Sequence, residues 1–240
     1  MECLTTEKWN PAPSSKEGYV HSMAYAHPKD CQTENPLYYG FVHAILSMIE
    51  ARDAYTAAHQ RNVSDLACLI AEHLGWGPMR IAGLRYASLI HDIGKISIPS
   101  EILHKPSMLS ELEFKFIKMH CITGAQIVKN IDSPWPLSRI ILEHHERLDG
   151  SGYPYGIKGD SILKESQILS VADVADAIIM HRPYRPAKGV DAAINEIENH
   201  RDTAFDGEVA DICVHILRDR WRLDPETYLP MSISRKETCN

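Results

Sequence analysis

The stretch VSDLACLIAEHLG, residues 63–75, predicts the fold class of this protein. Its apolar side chains recur at offsets 0, 3, 4, 7, 8 and 11, which places them on one face of an α-helix. The pattern stops at Gly75, a residue type that commonly follows a helix C-terminus, and Pro78 suits the first turn of another helix. The stretch therefore predicts a helix with one buried face, a tight turn and a second helix.

Helical periodicity continues from Pro36 onward, whereas the alternation typical of strands is scarce. Ser110 and Glu113 have the spacing of a capping box, which opens a helix. That helix carries a stripe predicted to face the core, formed by Leu112, Phe116, Met119 and His120. Further helices are predicted over residues 37–51, 134–147, 166–181, 188–200 and 206–221. We therefore expect an all-α fold.

The composition indicates one main domain with polar ends. The chain has 240 residues, of which 44% are hydrophobic and 24% charged, ordinary values for a globular protein. Residues 1–35 are polar, rich in Pro, Ser and Lys, and without a regular period, so we expect an extended or partly ordered lead-in. The helical domain is predicted over residues 36–230, with a tail over 231–240.

Charge and cysteine usage exclude several classes of partner. The formal net charge is −7 and no basic cluster stands out, which disfavours duplex nucleic acid or an anionic membrane as a partner. The longest apolar runs fall short of the roughly 18 residues that cross a bilayer, so we expect no membrane contact by this chain. The six cysteines form no C-x-x-C pair, so we expect free thiols and a cytoplasmic protein.

Ionisable side chains interrupt the apolar stripes. One stripe is predicted to line Ile81, Leu84, Ser88, His91, Asp92 and Lys95 on a single inward face. Seven residues from five predicted helices lie on the inward face of their helix and carry nitrogen or oxygen atoms that can bind a metal: His59, His91, Asp92, His120, His144, His145 and Asp173. Any one of these histidines alone is better explained as a hydrogen-bonded core or surface residue. Together they would leave many buried polar groups without partners unless they converge on something.

The ligand types indicate a pair of metal ions. Imidazole and carboxylate suit manganese, iron, zinc or nickel, and the absence of cysteine from the set argues against a closed structural zinc site. Seven ligands exceed the needs of one open site, so two ions are predicted, with a carboxylate such as Asp92 bridging them about 3.5–4 Å apart. Two such ions acidify water and neutralise charge on a phosphate, which suits attack on a phosphodiester.

Two motifs carry a family resemblance. The string HDIGK, residues 91–95, with His59 upstream and Asp173 downstream, resembles the HD superfamily of metal-dependent phosphohydrolases. The run HHERLDGSGYP, residues 144–154, narrows the resemblance to the HD-GYP domain. Other matches in the expected order are Asp53-Ala-Tyr-Thr56 with His59 and Arg61, Ile98-Pro99, Ile102-Leu103, Lys105-Pro106 and Arg182-Pro-Tyr-Arg185.

The resemblance implies an all-helical HD-domain bundle that hydrolyses cyclic di-GMP to linear pGpG, and often onward to GMP. It assigns one ion to His59, His91, Asp92 and Asp173, and the other ion to Asp92, His120, His144 and His145. Iron or manganese is the usual family choice, with nickel, zinc or magnesium as alternatives. Some relatives place a Glu four residues before the first His, where it helps to bind a third ion. Tyr55 stands at that position here, which favours two ions.

Lys95 and Asp92 are the residues expected to take part in catalysis. Lys95 follows His91 and Asp92 by about one helical turn, so it is expected to reach the phosphate or the nucleophile. If Gly94 ends the helix, Lys95 is instead a solvated lysine. The resemblance further implies that Arg182 and Arg185 bind substrate, although surface ion pairs would explain them equally simply.

The glycine-rich loop over residues 149–156 and the residues just before it add three candidates. By resemblance it shapes substrate access, with Tyr153 available to stack or hydrogen-bond with the substrate. The alternative is a simple glycine turn between helices. Glu146 and Arg147 are interpreted as supports that orient the His144–His145 pair, because metal-ligating imidazoles usually need such partners.

Rival functions stay open from sequence. One is hydrolysis of 3′,3′-cyclic GMP-AMP, which differs from cyclic di-GMP by one base. Another is hydrolysis of a different phosphate ester, which the GYP loop disfavours. A third is a non-catalytic signalling module that binds the messenger or a partner. The resemblance also leaves room for an upstream regulatory region, a GGDEF-type partner protein and a homodimer.

Overall fold

A computed structural model of the chain describes residues 36–52, 54–105, 107–180 and 188–219. The predicted lead-in and tail, the pair Arg182 and Arg185, and the side chain of Tyr55 lie outside the described residues. Within them the regular elements are helices and no strand occurs, which confirms the all-α prediction. The α-helices are α1 (Pro36–Arg52), α2 (Ala54–His73), α3 (Pro78–Ile90), α4 (Ser100–Leu103), α5 (Glu111–Val128), α6 (Leu137–Glu143), α7 (Lys164–Ile179), α8 (Val190–Asn199) and α9 (Gly207–Asp219). Two short 3₁₀ helices cover Ile93–Ser97 and Gly159–Ser161.

Helix α2 lies at the centre of the bundle. It packs against α1, α3, α7 and α9, so several of its faces meet other helices. The predicted stripe is buried as expected at Val63, Leu66, Ala67, Ile70 and Ala71. This burial removes apolar surface from water between Val63 and Ala71, which is the main kind of stabilising contribution in such a bundle.

The predicted stop after α2 is a Schellman motif. Gly75 has a φ of +73°, a left-handed conformation that glycine adopts without the steric cost of a Cβ. The N–H of Trp76 donates to the carbonyl of Ala71 at 3.1 Å, and the N–H of Gly75 donates to the carbonyl of Glu72 at 3.0 Å. These bonds satisfy carbonyls at the helix end, and α3 then begins at Pro78 as predicted.

The predicted capping box opens α5. The Ser110 hydroxyl accepts from the N–H of Glu113 at 3.3 Å, and a Glu113 carboxylate oxygen accepts from the N–H of Ser110 at 2.7 Å. Lys105 also donates from Nζ to Glu113 at 2.8 Å. The box therefore satisfies two N–H groups at the start of the helix and joins it to the preceding turn.

The apolar stripe predicted for α5 is wrong at three positions. Leu112 is 65% exposed, Phe116 51% and Met119 48%. The buried face comprises instead His120, Cys121, Gly124, Ala125 and Val128. Helix α5 packs against the 3₁₀ helix Ile93–Ser97 and against α6, and these elements cover its C-terminal half. Because α5 has apolar residues on more than one face, periodicity alone chose the wrong face.

Two helices are shorter in the structure than the sequence predicts. The stripe from Ile81 to Lys95 is not one helix, because α3 ends at Ile90 and a 3₁₀ helix over Ile93–Ser97 follows. The helix predicted over 134–147 covers only Leu137–Glu143. Pro134 and Pro136 disfavour a helical start before Leu137, since proline lacks an N–H and restricts the residue before it. In both places the metal-capable residues stand just after a helix rather than within it.

Gly94 allows the 3₁₀ helix to approach α5 closely. A Cβ on Gly94 would overlap the carbonyl oxygen of His120, and it would also meet the backbone nitrogen of Gly124. Only a residue without a side chain fits between these backbones. Gly94 thereby brings the preceding His91 and Asp92 next to His120.

Two further expectations concern thiols and membranes. Cys68, Cys121 and Cys213 are buried free thiols, as predicted, while the other cysteines lie outside the described residues. In the part of the chain that the structure describes, no helix combines the length and apolar character that crossing a bilayer requires.

Candidate metal centre

The structure brings all seven predicted ligands together inside the bundle. They come from α2, the end of α3, α5, the end of α6 and α7. Six of them are buried and His145 is half-buried: His59, His91, Asp92, His120, His144, His145 and Asp173. Burying so many ionisable groups in one place is costly unless their charges and lone pairs are matched.

One group of three ligand atoms surrounds Asp173. Nε2 of His59 lies 3.0 Å from Oδ1 of Asp173, and Nε2 of His91 lies 3.9 Å from the same oxygen. The ligand atoms of these three residues all lie within 4.8 Å of one another. An ion of ordinary size placed among them would contact two imidazoles and one carboxylate.

A second group surrounds His120 and His144. Their Nε2 atoms are 3.3 Å apart. Asp92 lies between the two groups, because its Oδ2 is 3.5 Å from Nε2 of His91 and its Oδ1 is 3.4 Å from Nε2 of His120. His145 completes the cluster, with Nδ1 3.8 Å from Oδ2 of Asp173. One carboxylate thus presents an oxygen to each group, as a bridging ligand does.

Backbone carbonyls orient three of the imidazoles. Nδ1–H of His91 donates to the carbonyl of Ser88 at 2.7 Å. The same bond runs three residues back from His120 to Ile117 and from His144 to Ile141, each at 2.6 Å. Each bond occupies Nδ1 and leaves the lone pair on Nε2, which is the arrangement that metal-ligating histidines show.

The carboxylate of Asp176 orients the His59 ring, as the backbone carbonyls orient those three rings. Its Oδ2 accepts from Nδ1–H of His59 at 2.6 Å, and its side chain is fully buried. Asp176 was not among the ligands or supporting residues predicted from the sequence. Its spacing of three residues from Asp173 on α7 was the available signal, since residues so spaced share a helix face.

The two carboxylates are poised as ionised ligands. Burial raises the pKa of Asp92, but the positive charge of Lys95 and the neighbouring histidines hold it well below the ordinary value. Burial likewise raises the pKa of Asp173, but its hydrogen bond with His59 and the nearby histidine charges together hold that pKa well below the ordinary value. Both groups are therefore anionic near neutral pH.

Most of the imidazoles are poised as neutral ligands. Burial is the largest cause of the low pKa of His144, about 3, and it also lowers the pKa of His120 and of His145. His59 differs: burial lowers its pKa, but hydrogen bonds with Asp173 and Asp176 raise it to about 9. Metal ligands act in their deprotonated forms, so His59 loses a proton when it binds an ion.

Within the part of the chain that the structure describes, one ligand atom of the cluster is buried without a hydrogen-bond partner, which indicates that a divalent ion fits there. Nε2 of His91 is buried and has no hydrogen-bond partner among the described residues. Buried polar atoms without partners are rare in folded proteins and call for a ligand. Two anionic carboxylates beside neutral imidazoles supply the charge and the lone pairs that divalent transition metals take.

Lys95 lies beside the centre, on the 3₁₀ helix. Its Nζ donates to Oδ2 of Asp92 at 2.6 Å, and its side chain is 25% exposed. The ammonium group is therefore neither remote from the site nor fully solvated. Its positive charge therefore lies next to one of the predicted ligands.

The glycine-rich loop forms one wall of the site. The Tyr153 ring stacks on the His145 ring with centroids 4.6 Å apart, and the N–H of Tyr153 donates to the carbonyl of His145 at 3.1 Å. A Cβ on Gly152 would overlap the backbone of His145, Glu146 and Arg147, so the loop needs glycine there. Tyr153 is thus held against a predicted ligand.

Glu146 and Arg147, which were predicted to orient the histidine pair, hydrogen-bond to the loop and to α7. Glu146 is buried and accepts from the N–H groups of Tyr155 and Ile157, at 2.8 and 3.0 Å, so it supports the loop rather than an imidazole. The structure corrects the expected role of Glu146 in this respect. Arg147 donates to the carbonyl of Glu146 at 3.0 Å and to the Ser170 hydroxyl of α7 at 2.5 Å. It also donates to the carbonyl of His144 at 3.5 Å, so it contacts the backbone of one histidine of the pair.

Three residues that were not predicted from the sequence contact Tyr153 or the ligands: Lys118, Phe114 and Cys121. Nζ of Lys118 lies 4.8 Å from the Phe114 ring centroid and 5.0 Å from the Tyr153 ring centroid, within the range of cation–π attraction. Cys121, which follows His120 directly, has its Sγ 3.6 Å from Nε2 of that histidine. For Cys121 the available signal was its position next to a predicted ligand.

The centre and the bundle define a class of protein. Residues 44–209 match the family described as the HD domain, so the chain belongs to the HD domain family. The solved structure of Bd1817, a HDG"Y"P protein from Bdellovibrio bacteriovorus, has a similar fold. Its TM-score is 0.57 at 22% identity, and the match covers 76% of this chain and 62% of that one.

Curated relatives confirm the predicted HD-GYP type. The cyclic di-GMP phosphodiesterase of Thermotoga maritima is 39% identical over 170 residues, which cover 70% of this chain and 46% of the relative. The 3′3′-cGAMP-specific phosphodiesterase 3 of Vibrio cholerae serotype O1 is 36% identical over 197 residues, which cover 82% of this chain and 42% of the relative. The chain thus spans less than half of the length of these two relatives.

Proposed function

We propose that this protein is a metal-dependent phosphodiesterase that hydrolyses cyclic di-GMP to linear pGpG and onward to GMP. The observation that carries the proposal is the convergence of seven buried or half-buried ligands whose imidazoles are mostly held with Nε2 toward a common centre. The similarity to the Thermotoga maritima cyclic di-GMP phosphodiesterase supports the choice of substrate.

The ligands divide between two ions in this proposal. One ion is assigned to His59, His91, Asp92 and Asp173, and the other to Asp92, His120, His144 and His145. When bound, two divalent ions acidify water for attack on phosphorus and neutralise the charge that develops on the phosphoryl oxygens. Iron or manganese is proposed, because both accept mixed imidazole and carboxylate ligands.

Side chains of this chain position the substrate. Lys95, held by Asp92, offers a positive charge to a non-bridging phosphate oxygen. Tyr153, stacked on His145, offers a ring on which a purine base can stack, and Lys118 adds a positive charge beside that ring. Arg182 and Arg185 stay predicted substrate-binding residues by their motif.

A second candidate substrate is 3′,3′-cyclic GMP-AMP. The observation that favours it is the similarity to the Vibrio cholerae cGAMP-specific phosphodiesterase 3. Both substrates present the same phosphodiester ring to the proposed ions and differ in one base. The metal centre would therefore act on either, and the choice between them lies with residues that contact the bases.

The compartment proposed for this activity is the cytoplasm. Cys68, Cys121 and Cys213 are free thiols, a state that reducing compartments maintain.

The experiment is chromatography of the products formed from each cyclic dinucleotide by protein loaded with manganese or anaerobically with iron. We expect pGpG and then GMP from cyclic di-GMP. His91→Ala and Asp92→Ala are expected to abolish turnover, whereas His73→Ala, an exposed histidine of α2, leaves turnover unchanged. Faster turnover of cyclic GMP-AMP would favour the second substrate. Tight binding of either nucleotide without any product would favour the non-catalytic signalling module.

A further inference from the structure

The thiol of Cys121 faces the metal centre rather than the apolar core. Cys121 is fully buried, and its Sγ lies 3.6 Å from Nε2 of His120. Its sulfur and the ligand atoms of His120, His144 and His145 all lie within 4.8 Å of one another. A buried cysteine usually packs as a small apolar residue, but here its neighbours include three imidazole groups.

The distances match those between neighbouring ligands of one ion. Where two bonds meet at about 109°, metal–nitrogen bonds of about 2.0–2.1 Å and a metal–sulfur bond of about 2.3 Å imply nitrogen–nitrogen distances of about 3.3 Å and nitrogen–sulfur distances of about 3.6 Å. The observed separation of the His120 and His144 Nε2 atoms is 3.3 Å, and that of Cys121 Sγ and His120 Nε2 is 3.6 Å. The ligand atoms of Cys121 and His144 also lie within 4.8 Å of each other, so all three residues lie close enough to surround one ion.

We propose that Cys121 supplies a thiolate ligand to the ion assigned to Asp92, His120, His144 and His145. The inference rests on the proposed metal-dependent function and adds a sulfur donor to one of its two positions. The thiol proton leaves to solvent as the metal–sulfur bond forms, because sulfur binds metals as thiolate.

A sulfur ligand makes the two metal positions chemically different. The position around Asp173 has only nitrogen and oxygen donors, whereas the position around His120 includes a soft sulfur donor. Thiolate favours zinc, iron or cobalt over manganese or magnesium. The inferred consequence is that the His120 position selects the softer ion.

Cobalt absorption tests this ligand directly. A thiolate bound to Co²⁺ gives a charge-transfer band in the near ultraviolet, and cobalt itself gives weaker bands in the visible region. We expect both in the protein loaded with cobalt to saturation. Cys121→Ser is expected to lose the near-ultraviolet band and keep visible bands. Cys213→Ser, which changes a buried thiol of the apolar core, keeps both.

The outcomes separate this inference from the proposed function. Visible cobalt bands without a charge-transfer band in the unmutated protein overturn the sulfur ligand and leave the metal centre standing. Absence of any cobalt binding overturns both. If Cys121→Ser fails to fold by circular dichroism, X-ray absorption of the unmutated cobalt protein decides. A sulfur shell at about 2.3 Å supports the inference, and its absence overturns it.

Discussion

Asp176 stands directly behind His59, on the side away from the metal centre. Nδ1–H of the histidine donates to Oδ2 of the aspartate at 2.6 Å, while Nε2 points to Asp173 at 3.0 Å. The pair joins α2 to α7 across 117 positions of sequence. A carboxylate in this position fixes the ring and increases its basicity toward an ion.

Removing the charge of Asp176 is expected to weaken metal binding. In Asp176→Asn the amide still fills the site but no longer holds Nδ1–H as a charged acceptor, so we expect affinity to fall by about 10–100-fold. Competition with a chelator measures this affinity independently of turnover. Asp160→Asn, an exposed aspartate, serves as the control and should not change affinity. Equal affinity of both variants would show that Asp176 does not support His59.

The metal-free protein is expected to lose stability as the pH rises from 6.5 to about 9. His59 has an ordinary pKa of 6.5 and a folded-state pKa of about 9, so the folded state keeps a proton that the unfolded chain releases. This contribution is fully present below pH 6.5 and is lost as pH rises through 9. Its size is on the order of 3 kcal/mol.

Urea unfolding of chelator-treated protein across this pH range measures the effect. His59→Asn is expected to flatten the pH dependence, while His73→Asn retains it. The metal-loaded protein should also show a flatter curve, because an ion at Nε2 replaces the proton. A metal-free protein whose unfolding free energy does not change over this range would contradict the prediction.

Substitution of Gly94 is expected to disturb both the fold and the metal centre. In Gly94→Ala the new Cβ overlaps the carbonyl of His120, so the 3₁₀ helix has to move away from α5. We expect a loss of about 1–3 kcal/mol in unfolding free energy and weaker ion binding. Gly77→Ala is the matched control, because a Cβ there meets nothing within 4 Å. Identical stability of the two variants would be incompatible with this packing.

Glu146 is expected to act on substrate binding through the loop. Glu146→Gln replaces one of two carboxylate oxygens that accept from the N–H groups of Tyr155 and Ile157. We expect a loss of about 1–3 kcal/mol in unfolding free energy. The KM for the cyclic dinucleotide should rise because the loop also carries Tyr153, while ion content stays unchanged. Glu208→Gln, an exposed residue of α9, is the control. A loss of bound ions in Glu146→Gln would instead favour the role expected from the sequence.

Features that depend on residues close together in the sequence, such as helix ends with local caps, were predicted correctly. The end of α2 at Gly75 and the start of α5 at Ser110 depend on hydrogen bonds between residues at most five positions apart. Such contacts form wherever the local residues occur, so they can be predicted without the rest of the fold. The motifs HDIGK and HHERLDGSGYP likewise identified the family, because they carry the ligand types in a fixed order.

Packing between distant elements could not be predicted in the same way. Phe116 and Met119 have the spacing of a buried stripe, yet they are exposed because the neighbours of α5 cover another face. The end of α3 at Ile90 also escaped prediction, since the apolar pattern continues past it. Periodicity states that a helix has apolar faces, but the surrounding elements decide which face is covered.

The amino-acid sequence by itself determined the helical class, the helix ends with local caps and the types of ligand available. Tertiary structure decided that Asp92 presents one oxygen to His91 and the other to His120, that Glu146 supports the loop, and that the sulfur of Cys121 faces the same histidines. Each of these contacts depends on the direction in which side chains from separate elements point. They depend on how the helices pack at close range, and no pattern of neighbouring residues encodes that orientation.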